Sequence, residues 1–252
     1  MTQANPMTEK SQTTTKIDMF FDPICPWCYI GYHRLKNAIK QRPTGQFALY
    51  FRCYQLNPNM PEGGMERGEY LLKKFGSFRQ YQKIYQPVLE AAFSLDLTLN
   101  LHKLKTTPST TMAHLAHYYI LMEKGHQMAE NFVIALFQAY FHDGKDIGRI
   151  NILDEIATKI GLNADEIKQF FIPSNLEPEE HMGVLLQEAG KKIYGDYRYV
   201  HSHASSNGTP INGVPFYIFN QLYSIGGAQT ERTLLPILDL ASQSAHQHHA
   251  TP

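Results

Sequence analysis

The chain has 252 residues, of which 43% are hydrophobic, so it is long enough to bury a substantial core. Its 23 lysine and arginine residues balance its 23 aspartate and glutamate residues, which gives a formal net charge of zero. This balance provides no electrostatic basis for nucleic acid or an anionic membrane as a main partner, and polypeptides and small molecules remain.

The N-terminal residues, 1–15, are polar and are predicted to form a disordered tail. They contain no apolar stretch of the kind that a signal peptide has, and no run in the sequence is long enough to span a bilayer. A chain with three cysteines and no such export signal is expected in a reducing compartment. We therefore predict a cytoplasmic protein.

A strand and a helix are predicted on either side of the first cysteine. The run from Lys16 to Phe21 is apolar, and Asp22 and the proline after it end the run. Pro26 suits the first turn of a helix because the N–H that it lacks has no partner there. Apolar residues then recur near helical spacing as far as Ile39. The predicted order is strand, turn and helix N-terminus.

Cys25 and Cys28 are spaced so that their thiols can open and close a disulfide. The free N–H groups at a helix N-terminus favour a thiolate, and in motifs of this kind the thiol pKa falls from roughly 8.5 to between about 3.5 and 7.5. We therefore predict that Cys25 is the nucleophile and that Cys28, one turn inside the helix, is the resolving thiol. Pro26 and Trp27, which lie between them, are predicted substrate contacts.

A zinc site is the alternative interpretation, since two cysteines with this spacing are half of a tetrahedral site. The sequence contains no second pair of this kind, and Cys53 has no ligand spacing with His33 or His114. We therefore predict thiol exchange and no metal site. The tail at 244–252 is rich in histidine but short, and we interpret it as a flexible end.

A second strand and a helical middle follow the first helix. The segment from Gln46 to Tyr54 alternates and is rich in aromatic residues, which predicts a strand parallel to the first. Nearly everything from about Glu66 to Lys192 has helical periodicity. The predicted helices are Glu69–Phe75, Phe78–Leu95, Thr110–Lys124, Met128–His142, Asn151–Ile160, Ala164–Phe171 and Pro178–Ile193.

The C-terminal part returns to strands. Residues 214–219 and 222–225 flank a tight turn, as in an antiparallel hairpin, and a helix is predicted from about Thr230 to Ser242. The order β-α-β, helical block, β-β-α predicts an α/β, thioredoxin-like fold with a large all-helical insertion. We assign 16–62 and 211–243 to the thioredoxin-like domain and 63–210 to the insertion, with a long loop at 194–210 before the proline strand.

Six short stretches follow one another along the chain: Phe21–Gly31, Leu56–Pro58, Lys74–Ser77, Leu136–Phe141, Gly213–Phe216 and Gly227–Gln229. In order and separation they resemble the DsbA family of thioredoxin-fold proteins, and most closely its cytoplasmic FrnE-like branch of dithiol-disulfide oxidoreductases. The resemblance covers about Ile17 to Leu240. It implies thiol-disulfide exchange through Cys25 and Cys28.

The same resemblance implies a cis peptide at Val214-Pro215 that faces the dithiol, with both residues in contact with substrate. Proline is the residue whose cis bond is least unfavourable, and because it lacks an N–H it leaves the neighbouring backbone free to hold an extended substrate. A proline that merely begins a buried strand is the alternative. The segment 194–210 is longer than the FrnE pattern implies at this place.

Two further residues are candidates for tuning the dithiol. Asp22 stands three residues before Cys25, where it can relay a proton for Cys28 or change the stability of the thiolate, and a turn residue that binds local N–H groups is the equal alternative. Gln229 matches a family motif near the active-site edge, or only shapes the start of the last helix. We interpret Cys53 as a buried apolar cysteine rather than a third redox thiol.

These residues predict a thiol-disulfide oxidoreductase or isomerase whose partners are disulfide-containing polypeptides or small-molecule thiols. The wider family includes glutathione transferases of the kappa class and hydroxychromene-carboxylate isomerases, which use glutathione and carry serine where Cys25 stands. Thiol exchange requires no cofactor here, although glutathione can serve as reductant or cosubstrate. A glutathione-dependent transferase or isomerase is the alternative, and a non-catalytic, chaperone-like peptide-binding module is a further one.

Overall fold

The computed structural model describes residues 14–43, 46–172, 178–207, 211 and 213–247. The strands in this part of the chain are β1 (Thr15–Phe21), β2 (Phe47–Cys53), β3 (Met65–Glu66), β4 (Thr106–Thr107), β5 (Phe216–Phe219) and β6 (Tyr223–Gly226). A four-stranded sheet has the order β2-β1-β5-β6, in which β1 and β2 are parallel and the other two pairs are antiparallel. The sheet therefore joins strands from both ends of the chain.

The helices account for most of the remaining described residues. They are α1 (Pro26–Ile39), α2 (Arg67–Phe75), α3 (Phe78–Phe93), α4 (Thr111–Lys124), α5 (His126–Phe137), α6 (Ile150–Lys159), α7 (Glu166–Phe171), α8 (Pro178–Asn207) and α9 (Glu231–Gln247). Seven of these, α2 to α8, lie between β2 and β5 in the chain. This confirms the predicted α/β, thioredoxin-like fold with a large helical insertion.

Strand β1 occupies the middle of the sheet. Six of its seven residues are buried, as expected for a strand with a partner on each side and helices over its faces. The register places Ile17 opposite Leu49 of β2 and Phe219 of β5. The apolar run that predicted this strand is thus the centre of the core, and it carries the chain directly to the cysteines.

Aromatic side chains join the sheet to the inserted helices. The ring of Phe21, at the end of β1, lies 5.0 Å from that of Phe51 on β2 and 6.1 Å from that of Phe137 on α5. Tyr29 of α1 stacks on the same Phe137 at 5.1 Å. The sheet, α1 and the insertion therefore share one continuous core, which fixes α1 relative to both.

The prediction of a loop over 194–210 is wrong for most of this segment. Helix α8 does not end at Ile193 but continues to Asn207, and 208–210 lie outside the described residues. Val200 on its inner face is completely buried. The apolar periodicity that marks a helix in a sequence is weak here, because Asp196 and Tyr199 make polar contacts with the sheet.

Those polar contacts anchor α8 to the edge of the sheet. The Asp196 carboxylate accepts a hydrogen bond from the Cys53 backbone N–H at 2.8 Å and lies 3.7 Å from the Arg52 guanidinium. The Tyr199 hydroxyl donates to Asp18 at 3.2 Å, and Arg52 contacts the same carboxylate at 2.8 Å. Buried charges of this kind need such partners, and here the partners hold α8 against β1 and β2.

Smaller differences from the sequence analysis occur at the ends of elements. Thr15 belongs to β1 rather than to the tail, and α9 continues to Gln247, past its predicted end at Ser242 and past the predicted domain boundary at 243. The remainder of the two predicted tails, 1–13 and 248–252, lies outside the described residues, and Thr14 has no regular structure. The short ladder between β3 and β4 and the π-helical turn over Gln138–His142 are not predicted by the sequence analysis.

No helix within the described ranges is long and apolar enough to cross a membrane.

Candidate active site

The two thiols lie at the N-terminal end of α1. Cys25 is the N-cap residue, with φ −89° and ψ 111°, and Pro26 occupies the first helical position as predicted. The Cys25 carbonyl accepts hydrogen bonds from the N–H groups of Cys28 and Tyr29, at 3.0 and 3.4 Å. The Cys25 N–H donates to the Asp22 carbonyl at 2.9 Å, which closes the turn between β1 and α1. Both cysteines are present as thiols.

The two thiols differ in access. Cys25 is 4% exposed and lines an open groove, whereas Cys28 is completely buried. Burial raises the pKa of the Cys28 thiol well above its ordinary value, and the neighbouring Cys25 thiol and the Asp22 charge add to this effect. One thiol therefore lines the groove while the other is buried, and this is the arrangement that the predicted roles require.

The proline loop faces the dithiol. The peptide between Val214 and Pro215 is cis, as the family resemblance implies. The Cys25 thiol donates a hydrogen bond to the Val214 carbonyl, with Sγ and oxygen 3.4 Å apart. The Pro215 carbonyl accepts from the Gly227 N–H at 2.7 Å, which ties the loop to the end of β6.

Gly31 allows α1 to approach the strand that follows the proline loop. A Cβ atom at this position would lie 2.3 Å from the Tyr217 hydroxyl and 2.8 Å from Cγ of Pro215, both closer than van der Waals contact allows. Any larger residue would push the helix and the loop apart. Gly31 lies in the first of the stretches that support the family resemblance, Phe21–Gly31, but no local pattern indicates this role.

The groove beside Cys25 has a volume of about 230 Å³. One wall comes from the dithiol turn and the proline loop, and the other comes from α2 and α3. Of the predicted substrate contacts, Pro26, Trp27 and Val214 line the groove, and Trp27 is partly exposed there. Pro215 does not line it.

Asp22 binds local backbone N–H groups, which is one of the two roles considered for it. Its carboxylate is completely buried and accepts hydrogen bonds from the backbone N–H groups of Ile24, at 3.3 Å, and Leu56, at 2.7 Å. It therefore holds the turn before α1. Burial nevertheless raises its pKa from 3.8 to about 6, and its charge acts on the nearby Cys28 thiol.

Neither Gln229 nor Cys53 lines the groove beside Cys25. The Gln229 side chain donates to the Gly226 carbonyl at 2.7 Å, so it shapes the turn before α9 and does not line the groove. Cys53, at the end of β2, is completely buried, and burial raises its pKa well above the ordinary value. Among the residues that the structure describes, no group of three histidine, cysteine or acidic side chains is placed to hold a metal ion.

The far wall of the groove consists of residues that the sequence does not point to. Arg67, Tyr70 and Tyr85 face Cys25 across it, on α2 and α3. Their positions depend on how two helices of the insertion dock beside the dithiol, and no local pattern reports such docking. Lys74, also in this wall, belongs to the stretch Lys74–Ser77 that supports the family resemblance, and this stretch is the sequence signal for the α2 and α3 side of the groove.

Three comparisons place this chain among known proteins. A family model of the DSBA-like thioredoxin domain matches residues 16–238. The uncharacterised protein YwbO of Bacillus subtilis is 26% identical over 159 residues, which are 62% of this chain and 70% of YwbO. The probable DsbA oxidoreductase of Streptomyces coelicolor superposes with a TM-score of 0.71 at 22% identity, over 94% of this chain and 92% of that one.

Two further solved structures share the fold at lower identity. A 2-hydroxychromene-2-carboxylate isomerase has a TM-score of 0.59 at 11% identity and covers 94% of this chain and 100% of its own. The cytosolic disulfide reductase DsbM of Pseudomonas aeruginosa, solved with GSH, has a TM-score of 0.53 at 14% identity, over 93% and 99%. At these identities the structural likeness establishes the fold, and the family model establishes the kinship. The chain belongs to the DSBA-like thioredoxin domain family.

Proposed function

We propose that this protein is a thiol-disulfide oxidoreductase in which Cys25 attacks a substrate disulfide and Cys28 releases the product. The observation that carries this proposal is the pairing of a thiol in an open groove with a second thiol buried directly behind it. The cis-proline loop beside Cys25 supplies backbone groups along which an extended substrate can lie.

The exchange proceeds through two displacement steps. The Cys25 thiolate attacks one sulfur of the substrate disulfide, whose S–S bond breaks, and the departing sulfur takes the electron pair and then a proton. The sulfur of Cys28, after losing its proton, attacks Cys25 and releases the second substrate thiol. The substrate gains two electrons and the enzyme becomes the disulfide, which an external thiol reductant such as glutathione reduces again. Run in reverse, the same steps oxidise a substrate dithiol.

The second step needs a proton acceptor, because burial holds the pKa of Cys28 high. Asp22 is the acid whose charge acts on that thiol, and with a pKa of about 6 it is mostly ionised at neutral pH. Two backbone N–H groups fix its carboxylate. We assign it the role of holding the Cys28 proton while the mixed disulfide is resolved.

Glutathione chemistry is the second candidate function. Both the isomerase fold and a disulfide reductase solved with GSH are structural neighbours. DsbM, which is cytosolic and was solved with GSH, supports glutathione as reductant or cosubstrate and a cytoplasmic location. The isomerase supports the isomerase alternative. Two cysteines in the dithiol turn favour exchange over conjugation, since conjugation needs only one group at that position.

Wild-type protein tested in two assays separates these functions. We expect it to accelerate the reduction of insulin disulfides by dithiothreitol or glutathione, followed as the precipitation of the free chains. We expect no acceleration of glutathione conjugation to 1-chloro-2,4-dinitrobenzene. Conjugation without insulin reduction would instead assign the site to a glutathione transferase, and suppression of aggregation without either reaction would assign it to a peptide-binding module.

A further inference from the structure

The wall opposite Cys25 contains a buried cation without an acidic partner. Arg67 is 8% exposed and lines the groove. Its guanidinium donates to the Thr107 hydroxyl at 3.0 Å, lies 5.6 Å from the Tyr70 ring centre and faces the phenols of Tyr85 and Tyr140. All of these partners are neutral. Within the described residues, no carboxylate lies within 4.0 Å of it.

A second cation lies two turns along the same face of α2. The Lys74 ammonium donates to the Asn57 side-chain oxygen at 3.2 Å and lies 5.4 Å from the Tyr70 ring centre. It too has no ion-pair partner among the described side chains. The acid that its charge reaches, Asp22, does not line the groove, and backbone N–H groups occupy both of its oxygens.

Both cations share their cavity with the nucleophile. The lining of the groove includes Arg67, Lys74 and Cys25 and contains no aspartate or glutamate within the described part of the chain. Tyr85 lines the same groove, within electrostatic range of both Arg67 and Cys25. A disulfide seated on Cys25 therefore brings the groups beside its sulfur towards two positive charges.

The positive lining continues away from the dithiol. A neighbouring cleft of about 450 Å³ shares Tyr70 and Lys74 with the groove and adds Lys73. Its described lining also lacks an acidic residue. Two adjoining cavities of this extent fit several residues of an extended chain beside the attacked cysteine.

We infer that this groove selects disulfides that carry a carboxylate close to the sulfur, as in acidic peptides or small acidic disulfides. The inference rests on the proposed thiol-disulfide exchange and names its substrate class. A guanidinium that is buried without an acid is unfavourable until an anion joins it, and the fork of an arginine pairs well with a carboxylate. Binding of the acidic substrate supplies the missing partner.

A matched set of disulfide-linked peptides tests this inference. The peptides are identical except that the residue next to cysteine is Glu, Gln or Lys, and oxidised glutathione serves as a small acidic disulfide. We expect kcat/KM for the Glu peptide to exceed that for the Lys peptide by about tenfold at low salt, and the ratio to shrink towards one in 0.5 M salt, because screening weakens such contacts. The substrate class is a peptide if the acidic peptide shows this preference, and a small disulfide if oxidised glutathione shows it.

Three variants connect the preference to the two cations. Lys74→Gln, at an exposed position that does not threaten folding, is expected to lower the Glu-to-Gln ratio, and Arg67→Gln is expected to lower it further. Arg67→Lys restores part of it. Lys83→Gln removes an exposed charge of α3 that does not line the groove and serves as the matched control.

The ratios separate failure of the inference from failure of the proposed function. The inference would be overturned if the Glu, Gln and Lys peptides reacted at equal rates and if salt had no effect on the reduction of oxidised glutathione. Disulfide exchange itself would remain intact. An unchanged Glu-to-Gln ratio in both Arg67→Gln and Lys74→Gln would also overturn it. No reduction of any disulfide would instead contradict the proposed function.

Discussion

Cys25→Ser is expected to abolish reduction of insulin disulfides, whereas Cys28→Ser is expected to stop after the first displacement. A serine hydroxyl cannot replace the thiolate that attacks the substrate, so the loss in the first variant should be at least about a thousandfold. The second variant retains the nucleophile in its groove but has no buried thiol behind it. It should therefore accumulate protein joined to substrate through Cys25.

Turbidity of reduced insulin measures the first effect, and intact-mass spectrometry without reductant measures the second. Cys53→Ala is the matched control, because this third cysteine is completely buried and does not line the groove. It should keep the wild-type rate. Substantial activity in Cys25→Ser, or turnover of Cys28→Ser without any adduct, would show that the two thiols do not divide the work in this way.

Asp22→Asn is expected to remove a large pH dependence of stability. The pKa of this carboxyl rises from 3.8 to about 6 on folding, mainly because of burial. Between these values the folded protein binds more protons than the unfolded chain, so the contribution is fully present below pH 3.8 and is lost as the pH rises through about 6. The pKa shift corresponds to a change of about 3 kcal/mol in the free energy of unfolding. Asparagine cannot ionise, so the variant lacks this pH-dependent contribution.

Urea unfolding of both proteins from pH 3.5 to 7.5 checks this prediction. Asp22→Asn should gain stability relative to wild type as the pH rises, by up to about 3 kcal/mol across the range. Asp96→Asn, which removes an exposed carboxylate, controls for the change in net charge. A constant difference between Asp22→Asn and wild type would mean that the carboxyl does not titrate in this window.

The same variant should resolve mixed disulfides more slowly at neutral pH. Without the carboxylate, the buried Cys28 thiol loses the group proposed to hold its proton. The lifetime of an adduct between Cys25 and a peptide disulfide reports this step separately from the first attack. An unchanged lifetime would limit Asp22 to its structural part in the turn, where it binds the N–H groups of Ile24 and Leu56.

The elements around the dithiol could be predicted because their signals are local. The apolar run before Asp22 gives β1, and a proline at the first helical position fixes the start of α1. Each of these segments is buried against several neighbours, so hydrophobic periodicity reports its environment well. The cis-proline loop could be anticipated only through the family resemblance, since the residues around it do not specify what they face.

Helix α8 shows where local signals fail. The part of the helix just after Ile193 packs through Asp196 and Tyr199 against charged groups on β1 and β2. The partners lie more than 140 residues away in the sequence, and a polar residue that is buried by a distant partner has the same local appearance as an exposed one. The segment therefore resembled a surface loop.

The residues of the groove wall opposite Cys25 could not be predicted for a related reason. Arg67 belongs to a helix that reads as part of a separate insertion, yet it shares a groove with Cys25. Gly31 similarly gains its importance from Tyr217, in a strand at the other end of the chain. The two thiols could be predicted because their spacing in the sequence is itself the signature of a dithiol. The residues that shape access to them come together only through packing, which the sequence does not report.

Alkylation of the reduced wild-type protein tests the central claim most directly. Limiting iodoacetamide at pH 7, followed by peptide mass mapping, reports the order in which the three cysteines react. We predict that Cys25 is modified first and alone, since it lines the groove, and that Cys28 and Cys53 react only after unfolding, because burial covers both and raises the pKa of each. Equal, slow modification of all three thiols would contradict the account.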